Sequence, residues 1–408
     1  KLVSFKIIID VVALLLFVYF PWDNKLKSHS KGLSDLYTIT IGSLFGLHLM
    51  VMAANLLPMY LAIEMVSIAS YLLVAYRSEN ALSTEAGLKY VLFGAASSAI
   101  LLYGISLLYG FTGDLSLFAG HFIDNFNKAD SLVTSLALGL ILVGIGFKLS
   151  FVPVHFWVPD AYQGAPTPVT AYLSTLPKIA AFALLLVFLD PLISAVKPPA
   201  FNFRLVLSAV GIITMIAGNF AAVSQNNVKR MLAYSSIGHT GFALMAVVTF
   251  SQQGLSSLIY YLAVYAIANV AALALASYFA NVAGAENASD YKGLGLKYPV
   301  ASVSFVVVLI SLTGLPVTAG FTAKLFVFSS VYVVYQQTHD IWLLALMITG
   351  ALTTVVALFY YIKIPLNLFL KRTKTTGDVP VSDYKLQIFC AIISIFLVLA
   401  GIFPDLLY

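Results

Sequence analysis

The sequence predicts an all-α, polytopic membrane protein, and three observations carry that prediction. Of its 408 residues 61% are hydrophobic and only 10% are charged, with a mean hydropathy of +0.95. That leaves too little charge to cover a water-soluble surface. The apolar residues fall in about twelve runs long enough to cross roughly 30 Å of hydrocarbon at 1.5 Å per residue. Lysine and arginine concentrate in alternate connections between these runs, as they do in cytoplasmic loops.

Taken in order, the runs lie near 5–21, 35–54, 56–76, 86–111, 131–164, 167–190, 203–224, 228–250, 254–281, 298–336, 340–370 and 386–406. The first holds Asp10 and lacks a small-residue cleavage site, so it makes a poor signal peptide. The chain begins at Lys1 without methionine and is expected to be N-terminally incomplete. The fifth and tenth runs are too long for one straight span and are interrupted at Ser150–Pro153 and at Gly314, Pro316 and Gly320. Both are expected to be broken helices that cross once. Connections after odd-numbered runs hold Lys25, Lys27, Lys31, Arg77, Lys229, Arg230, Lys292, Lys297, Lys371, Arg372, Lys374 and Lys385. Those after even-numbered runs hold only Lys128, Lys197 and Arg204. The bias places the first set in the cytoplasm and both chain ends on the opposite side.

The broken runs are five apart, so runs two to six and seven to eleven are expected to be two copies of one five-helix unit. An odd number of crossings inverts the second copy, and discontinuous helices in such repeats line polar cavities near the midplane. This divides the chain into a peripheral N-terminal helix and loop (1–34), a first repeat (35–190), an inverted second repeat (203–370) and a C-terminal helix (386–408). Pattern alone carries the repeat, with no residue-level identity evident between the halves. Lys148, just before the first break, and Lys324, just after the second, are expected to be related by a two-fold axis in the membrane plane.

The chemistry lies in charges inside apolar runs. An ionisable side chain at a bilayer centre costs roughly 2.5–3.5 kcal/mol on insertion scales, so Glu64, Lys148, Lys178 and Lys324 point to ion or proton movement. Lysine suits a relay because burial lowers its pKa and a nearby carboxylate raises it, whereas arginine stays charged. Histidine as a residue type titrates near neutrality and can relay a proton, so His239 is expected to bridge Lys178 and Lys324. Pro177 removes a backbone hydrogen bond to Leu173 and either opens the helix to water beside Lys178 or is a packing kink. Lys89 reads either as a relay residue or as a snorkelling lysine paired with Glu85 one turn away. His155 and His48 are weaker relay candidates, and Asp10 and Lys363 read as interface anchors. Asp160, in a connection without lysine or arginine, belongs either to a cap over the proton path or to a proline-fixed turn. The single cysteine, Cys390, excludes a disulfide framework and an iron–sulfur cluster held by this chain alone. None of the six histidines pair at a metal-ligating spacing. No strand carries a glycine-rich phosphate loop, and nothing supports nucleic-acid binding.

Six motifs occur in order: Leu61-Ala-Ile-Glu64-Met, Gly87-Leu-Lys89-Tyr90, Gly146-Phe-Lys148-Leu-Ser-Phe-Val-Pro153-Val-His155-Phe-Trp157, Pro159-Asp160-Ala-Tyr-Gln163-Gly164-Ala-Pro166-Thr-Pro168-Val, Val228-Lys229-Arg230-Met-Leu-Ala-Tyr234-Ser-Ser236 and Gly320-Phe-Thr-Ala-Lys324. Together they resemble the antiporter-like membrane subunits of respiratory complex I, the proton-pumping NADH:quinone oxidoreductase. Lys324 and the run Ser235-Ser236-Ile-Gly-His239 look most like the subunit N branch, counterpart of mitochondrially encoded subunit 2. The resemblance implies a family fold of about fourteen helices, of which the first two are missing here. It also implies a proton relay through Glu64, paired to Lys148, and through Lys178, His239, Lys324 and Lys89. NADH, flavin, iron–sulfur clusters and quinone would belong to partner subunits, with no cofactor in this chain. Expected partners are the other membrane and peripheral-arm subunits of the complex and membrane lipids, in a bacterial inner membrane. A subunit of a multi-subunit sodium/proton antiporter, which shares many of these motifs, is the competing reading. A purely structural tether is a third.

Overall fold

In this computed structural model, residues 2–27, 29, 32–194, 201–371 and 384–406 are described. Of the loop cations named above, Lys31, Lys197, Arg372 and Lys374 lie outside the described residues. The described chain is helical. Its first half comprises α1 (Leu2–Tyr19), α2 (Asn24–Lys27), α3 (Ser34–Met52), α4 (Leu56–Val74), α5 (Ala81–Thr112), α6 (Gly120–Lys128), α7 (Ser131–Leu149), α8 (Trp157–Gly164) and α9 (Thr167–Ile193). The second comprises α10 (Phe203–Ser224), α11 (Val228–Val247), α12 (Gln252–Ala283), α13 (Leu294–Lys297), α14 (Pro299–Thr313), α15 (Ala319–Thr338), α16 (Ile341–Tyr361), α17 (Lys363–Phe369) and α18 (Tyr384–Ile402).

Polar residues set the helix starts. The side chains of Asn55, Asn80, Asp130, Asn202, Asn227, Ser251 and Asp340 accept hydrogen bonds from first-turn amides of α4, α5, α7, α10, α11, α12 and α16, satisfying donors that have no partner inside a helix. Among the described residues ten helices are long and apolar enough to cross a membrane. The difference from the expected dozen has two physical sources. α11 is about 30 Å long, enough to span, but carries Lys229, Arg230, two serines, His239 and Thr240 on inward faces. α14 and α15 are the halves of one interrupted run. Large apolar side chains such as Phe45, Leu92, Leu352 and Phe359 stand more than half exposed around the outside, as a lipid-facing surface requires.

The two five-helix units are visible in the packing. Contacts of α3 with α4, α4 with α5, α5 with α7 and α8, and α3 with α9 recur as α10 with α11, α11 with α12, α12 with α14 and α15, and α10 with α16. The cap residue Asn55 forms a backbone bridge to Ser116 beyond the end of α5, and Asn227 forms the same bridge to Asn287 beyond the end of α12. Both α5 and α12 are 32 residues long and stop at a left-handed glycine, Gly113 or Gly284. The Asn227 bridge shares its end of the bundle with Arg77, Lys229 and Arg230, and the Asn55 bridge lies at the other end. That is the inversion expected of an odd number of crossings. Beside the Asn55 bridge, chiefly the Ser116 amide, 2.8 Å from its Oδ1, holds the Asp114 carboxyl below the ordinary carboxylate range.

Both breaks close alike. The amide of Phe151 donates to the carbonyl of Gly146, and that of Leu315 to Ile310, with Ser150 and Gly314 left-handed at the caps. Overlaying the closures puts Leu312, not Lys324, at the position of Lys148. The expected two-fold relation between those lysines is therefore corrected, because an inverted repeat preserves chain order and cannot exchange the two sides of a break. Two helices form the centre: α9 and α12 have 83% and 89% of their apolar stretch buried, against 28% for 341–369. α1 packs on both.

Candidate functional site

Each broken helix positions a lysine. Lys148 lies in the last turn of α7 and Lys324 in the second turn of α15, against the carbonyl end of α14. The Lys324 Nζ donates to the Thr313 carbonyl at 2.8 Å and to the Thr354 hydroxyl at 3.1 Å, and stands 4.9 Å from the Phe242 ring centre. A helix C-terminus presents unpaired carbonyls and the negative end of its dipole, so the break supplies a cation site without a carboxylate. Gly314 leaves that site room. Its φ of +82° suits glycine, and a Cβ would come 2.6 Å from Lys324 Cδ.

Lys178, 2% exposed on α9, donates to the Ser236 hydroxyl at 2.7 Å, the Ser236 carbonyl at 3.0 Å and the Thr240 hydroxyl at 3.0 Å, all on α11. Pro177 leaves α9 continuous. One turn before Lys178, the Ser174 carbonyl accepts from the Tyr265 hydroxyl of α12, which also donates to Ser236. A buried ammonium with only neutral oxygens around it is costly when charged, which favours proton exchange at this site.

His239 sits between Lys178 and Lys324 and within electrostatic reach of both. Its Nδ1 is 2.7 Å from the Tyr261 hydroxyl and its Nε2 3.3 Å from that of Tyr361, which bonds Ser235 in turn. Three cavities of about 10 Å³ share His239 as a wall: one reaches Lys178 and Thr240, the other two Lys324. Each approaches the space of one water molecule, and their polar walls offer it partners.

Glu64 and Lys148 sense each other's charge across α4 and α7, but Ser67, one turn along from Glu64, takes the ammonium at 2.5 Å. Glu64 accepts from Ser98 of α5. Among the described residues the buried hydroxyls of Tyr172, near Ser43 and Ser70, and of Tyr162, near Ser236, make no close hydrogen bond, the kind of group that ordered water satisfies. Lys89 sits elsewhere. It is 41% exposed and donates to Glu85 at 2.7 Å and to Asp160 at 2.9 Å, while Arg230 donates to Asp160 at 2.6 Å and to Gln163 at 3.1 Å. This network ties α5, α8 and α11 together at the basic end. Among the described residues no hydrogen bond or ion pair joins this network to Lys148, Lys178 or Lys324. His48 pairs with Asp10 at 2.9 Å on an outer face, and His155 points to the Pro153 carbonyl. Among the described residues no group of three or more His, Cys, Asp or Glu is placed to hold a metal.

Sequence reasoning missed the hydroxyls around these charges: Ser67, Ser98, Thr240, Tyr261, Tyr265, Thr354 and Tyr361. A signal was present on α12, where Tyr261, Tyr265, Asn269, Ser277 and Asn281 recur at multiples of four and so form a stripe that winds slowly round an otherwise apolar helix.

Two inverted five-helix units around buried lysines define an antiporter-like membrane subunit. Residues 53–359 match the family model described as NADH:quinone oxidoreductase/Mrp antiporter, TM. The chain is 42% identical over 353 residues to NADH-quinone oxidoreductase subunit N 2 of Chloroherpeton thalassium, covering 86% of this chain and 68% of that protein. It matches a chain of respiratory complex I from Thermus thermophilus with bound aureothin at a TM-score of 0.78 and 32% identity, over 98% of this chain and 84% of that one. A chain of the Mrp complex from Dietzia sp. DQ12-45-1b, at 21% identity and a TM-score of 0.82 over 99% and 81% of the two chains, shares the fold alone. The chain belongs to the NADH:quinone oxidoreductase/Mrp antiporter family of membrane subunits.

Proposed function

We propose that this chain is a proton-translocating membrane subunit of a NADH:quinone oxidoreductase, with protons passing through buried lysines, His239 and water while electrons flow in partner subunits. The observation that carries the relay is the set of water-sized cavities walled by His239 between Lys178 and Lys324. The names of the relatives favour the redox assembly. NADH, flavin, iron–sulfur clusters and quinone are assigned to partner subunits. Segments 35–190 and 203–370 act as the two half-units, with 1–34 and 386–408 outside both. The basic end faces the cytoplasm of a bacterial plasma membrane, in keeping with the lysine bias and the bacterial relatives.

Each residue has a task. Glu64 changes the field at Lys148 as redox chemistry alters the charge nearby, and Ser67 holds the ammonium. Lys178 loads from the cytoplasmic side. His239 passes the proton on, each imidazole nitrogen bonded to a tyrosine. Lys324 holds it at the carbonyl end of α14 before release. Lys89 is assigned with Asp160 and Arg230 to clamping α8 onto α5 and α11.

Purification of the tagged chain from its native membrane in mild detergent tests the assignment. Recovery with flavin and iron–sulfur subunits and with quinone-dependent NADH oxidation is expected. Recovery with small hydrophobic partners only, together with sodium-dependent proton exchange, would instead identify a cation antiporter.

A further inference from the structure

A proton held on Lys178 has to come from water. At the basic end, between the two half-units, lies a cavity of about 110 Å³ lined by Asp23, Arg77, Lys229, Ser277, Glu286 and Tyr291, among others. Among the described residues the buried Tyr291 hydroxyl has no hydrogen-bond partner, so this space includes a polar group that a small polar guest would satisfy.

Asp23 is the unusual member. It is 2% exposed and forms no ion pair among the described residues. Its Oδ1 accepts from the Leu26 amide at 3.0 Å and its Oδ2 from the Ser277 hydroxyl at 2.7 Å. A buried carboxylate without a bonded cation is expensive unless hydrogen bonds or water satisfy it, and the adjoining cavity has room for water. From Ser277 a polar stripe of α12 leads inward to Tyr265, twelve residues or about 18 Å away at 1.5 Å per residue. Along it the Tyr19 hydroxyl donates to the Leu273 carbonyl at 3.4 Å and Asn269 donates to Ser174 at 2.6 Å. Tyr265 and Lys178 then both donate to the Ser236 hydroxyl, at 2.8 and 2.7 Å. The turn between Leu273 and Asn269, about 6 Å long, is where the route needs water.

We propose that Asp23 is the proton-collecting carboxylate for Lys178, loaded from the basic-end cavity and discharged along the Ser277–Tyr265 stripe of α12. This rests on the proton-translocating reading. One proton moves per step: the Asp23 carboxylic acid becomes carboxylate as the neutral Lys178 amine becomes ammonium. Intervening hydroxyls and water each accept one hydrogen and release another, and a proton arriving from bulk solvent through the cavity water reprotonates Asp23, leaving that water neutral. The structural alternative is that Asp23 only caps α2 and fastens the end of α1 to α12.

The test is the number of protons moved per NADH oxidised in vesicles holding the assembled complex, for Asp23→Asn, Asp23→Glu, Asn269→Leu and Lys178→Met. Asparagine caps a helix as well as aspartate does, so Asp23→Asn retains the α2 cap. The expected result is a several-fold loss in Asp23→Asn, recovery in Asp23→Glu, and recovery of Asp23→Asn on adding formate, a small acid that fits the cavity. Asn269→Leu interrupts the stripe beyond the cavity and is expected to lose pumping without formate rescue. It carries the test if Asp23→Asn does not assemble. Wild-type ratios in both Asp23→Asn and Asn269→Leu, with Lys178→Met impaired, would overturn the uptake route and leave the relay standing. A loss in Asp23→Asn that neither glutamate nor formate restores would make Asp23 a structural fastening. A wild-type ratio in Lys178→Met would overturn the relay itself.

Discussion

Lys178→Met is expected to uncouple this subunit: quinone-dependent NADH oxidation persists, while protons moved per NADH fall. Methionine keeps the unbranched stem, so the packing cost should stay within about 1.5 kcal/mol. The groups left behind remain satisfied, because Ser236 still accepts from Tyr265 and the Thr240 hydroxyl still donates to the Ser236 carbonyl. Assembly therefore survives, and the defect is one of proton transfer. Lys178→Arg sharpens the test. Guanidinium keeps the charge and can still reach Ser236 and Thr240, but it does not release a proton near neutral pH. If charge alone mattered, arginine would pump; the relay account predicts that it fails like methionine. Proton uptake by vesicles, measured with NADH oxidation in the same sample, reads both quantities.

Gly314→Ala should do comparable damage although residue 314 bears no polar side chain. A left-handed alanine costs about 1–2 kcal/mol. The larger effect is on Lys324, whose Cδ would lie 2.6 Å from the new Cβ, so the ammonium is driven from the Thr313 carbonyl and Thr354. Gly314→Asn separates the causes, since asparagine tolerates the left-handed backbone but brings the same Cβ. Equal loss of pumping in both variants, at near-normal thermal stability in Gly314→Asn, identifies displacement of Lys324. Wild-type pumping in Gly314→Asn would trace the alanine defect to backbone strain.

Apolar run length and the Pro/Gly interruptions made the helices and both breaks legible in the sequence, because desolvation of the backbone leaves a membrane chain few alternatives. The inversion followed from parity. The register between the halves did not, since Asn55 and Asn227 or Ser150 and Gly314 correspond through backbone geometry and not through shared residues. α6, in the connection after α5, was missed because nine residues of mixed polarity resemble a loop. Intramembrane lysines declared themselves through the cost of their charge. Serine and tyrosine hydroxyls are cheap enough in a helix to pass unnoticed, so the partners of Lys178 and Lys324 emerged only when α9, α11 and α12 were packed together. Lys89 illustrates the converse: its charge was plain, but only the fold brings Asp160 and Arg230, distant in sequence, to its side.

The central claim, that Lys178 and Lys324 exchange protons through His239, is tested most directly by His239→Leu. The substitution keeps a bulky side chain, removes both ring nitrogens and dries the three small cavities that share this wall. It leaves the Tyr261 hydroxyl without its 2.7 Å partner, a cost of about 1–3 kcal/mol that the packed bundle can bear. The measurement is protons moved per NADH oxidised by the intact complex in sealed vesicles. The account predicts a lowered ratio with NADH oxidation and complex content retained; a wild-type ratio would contradict it.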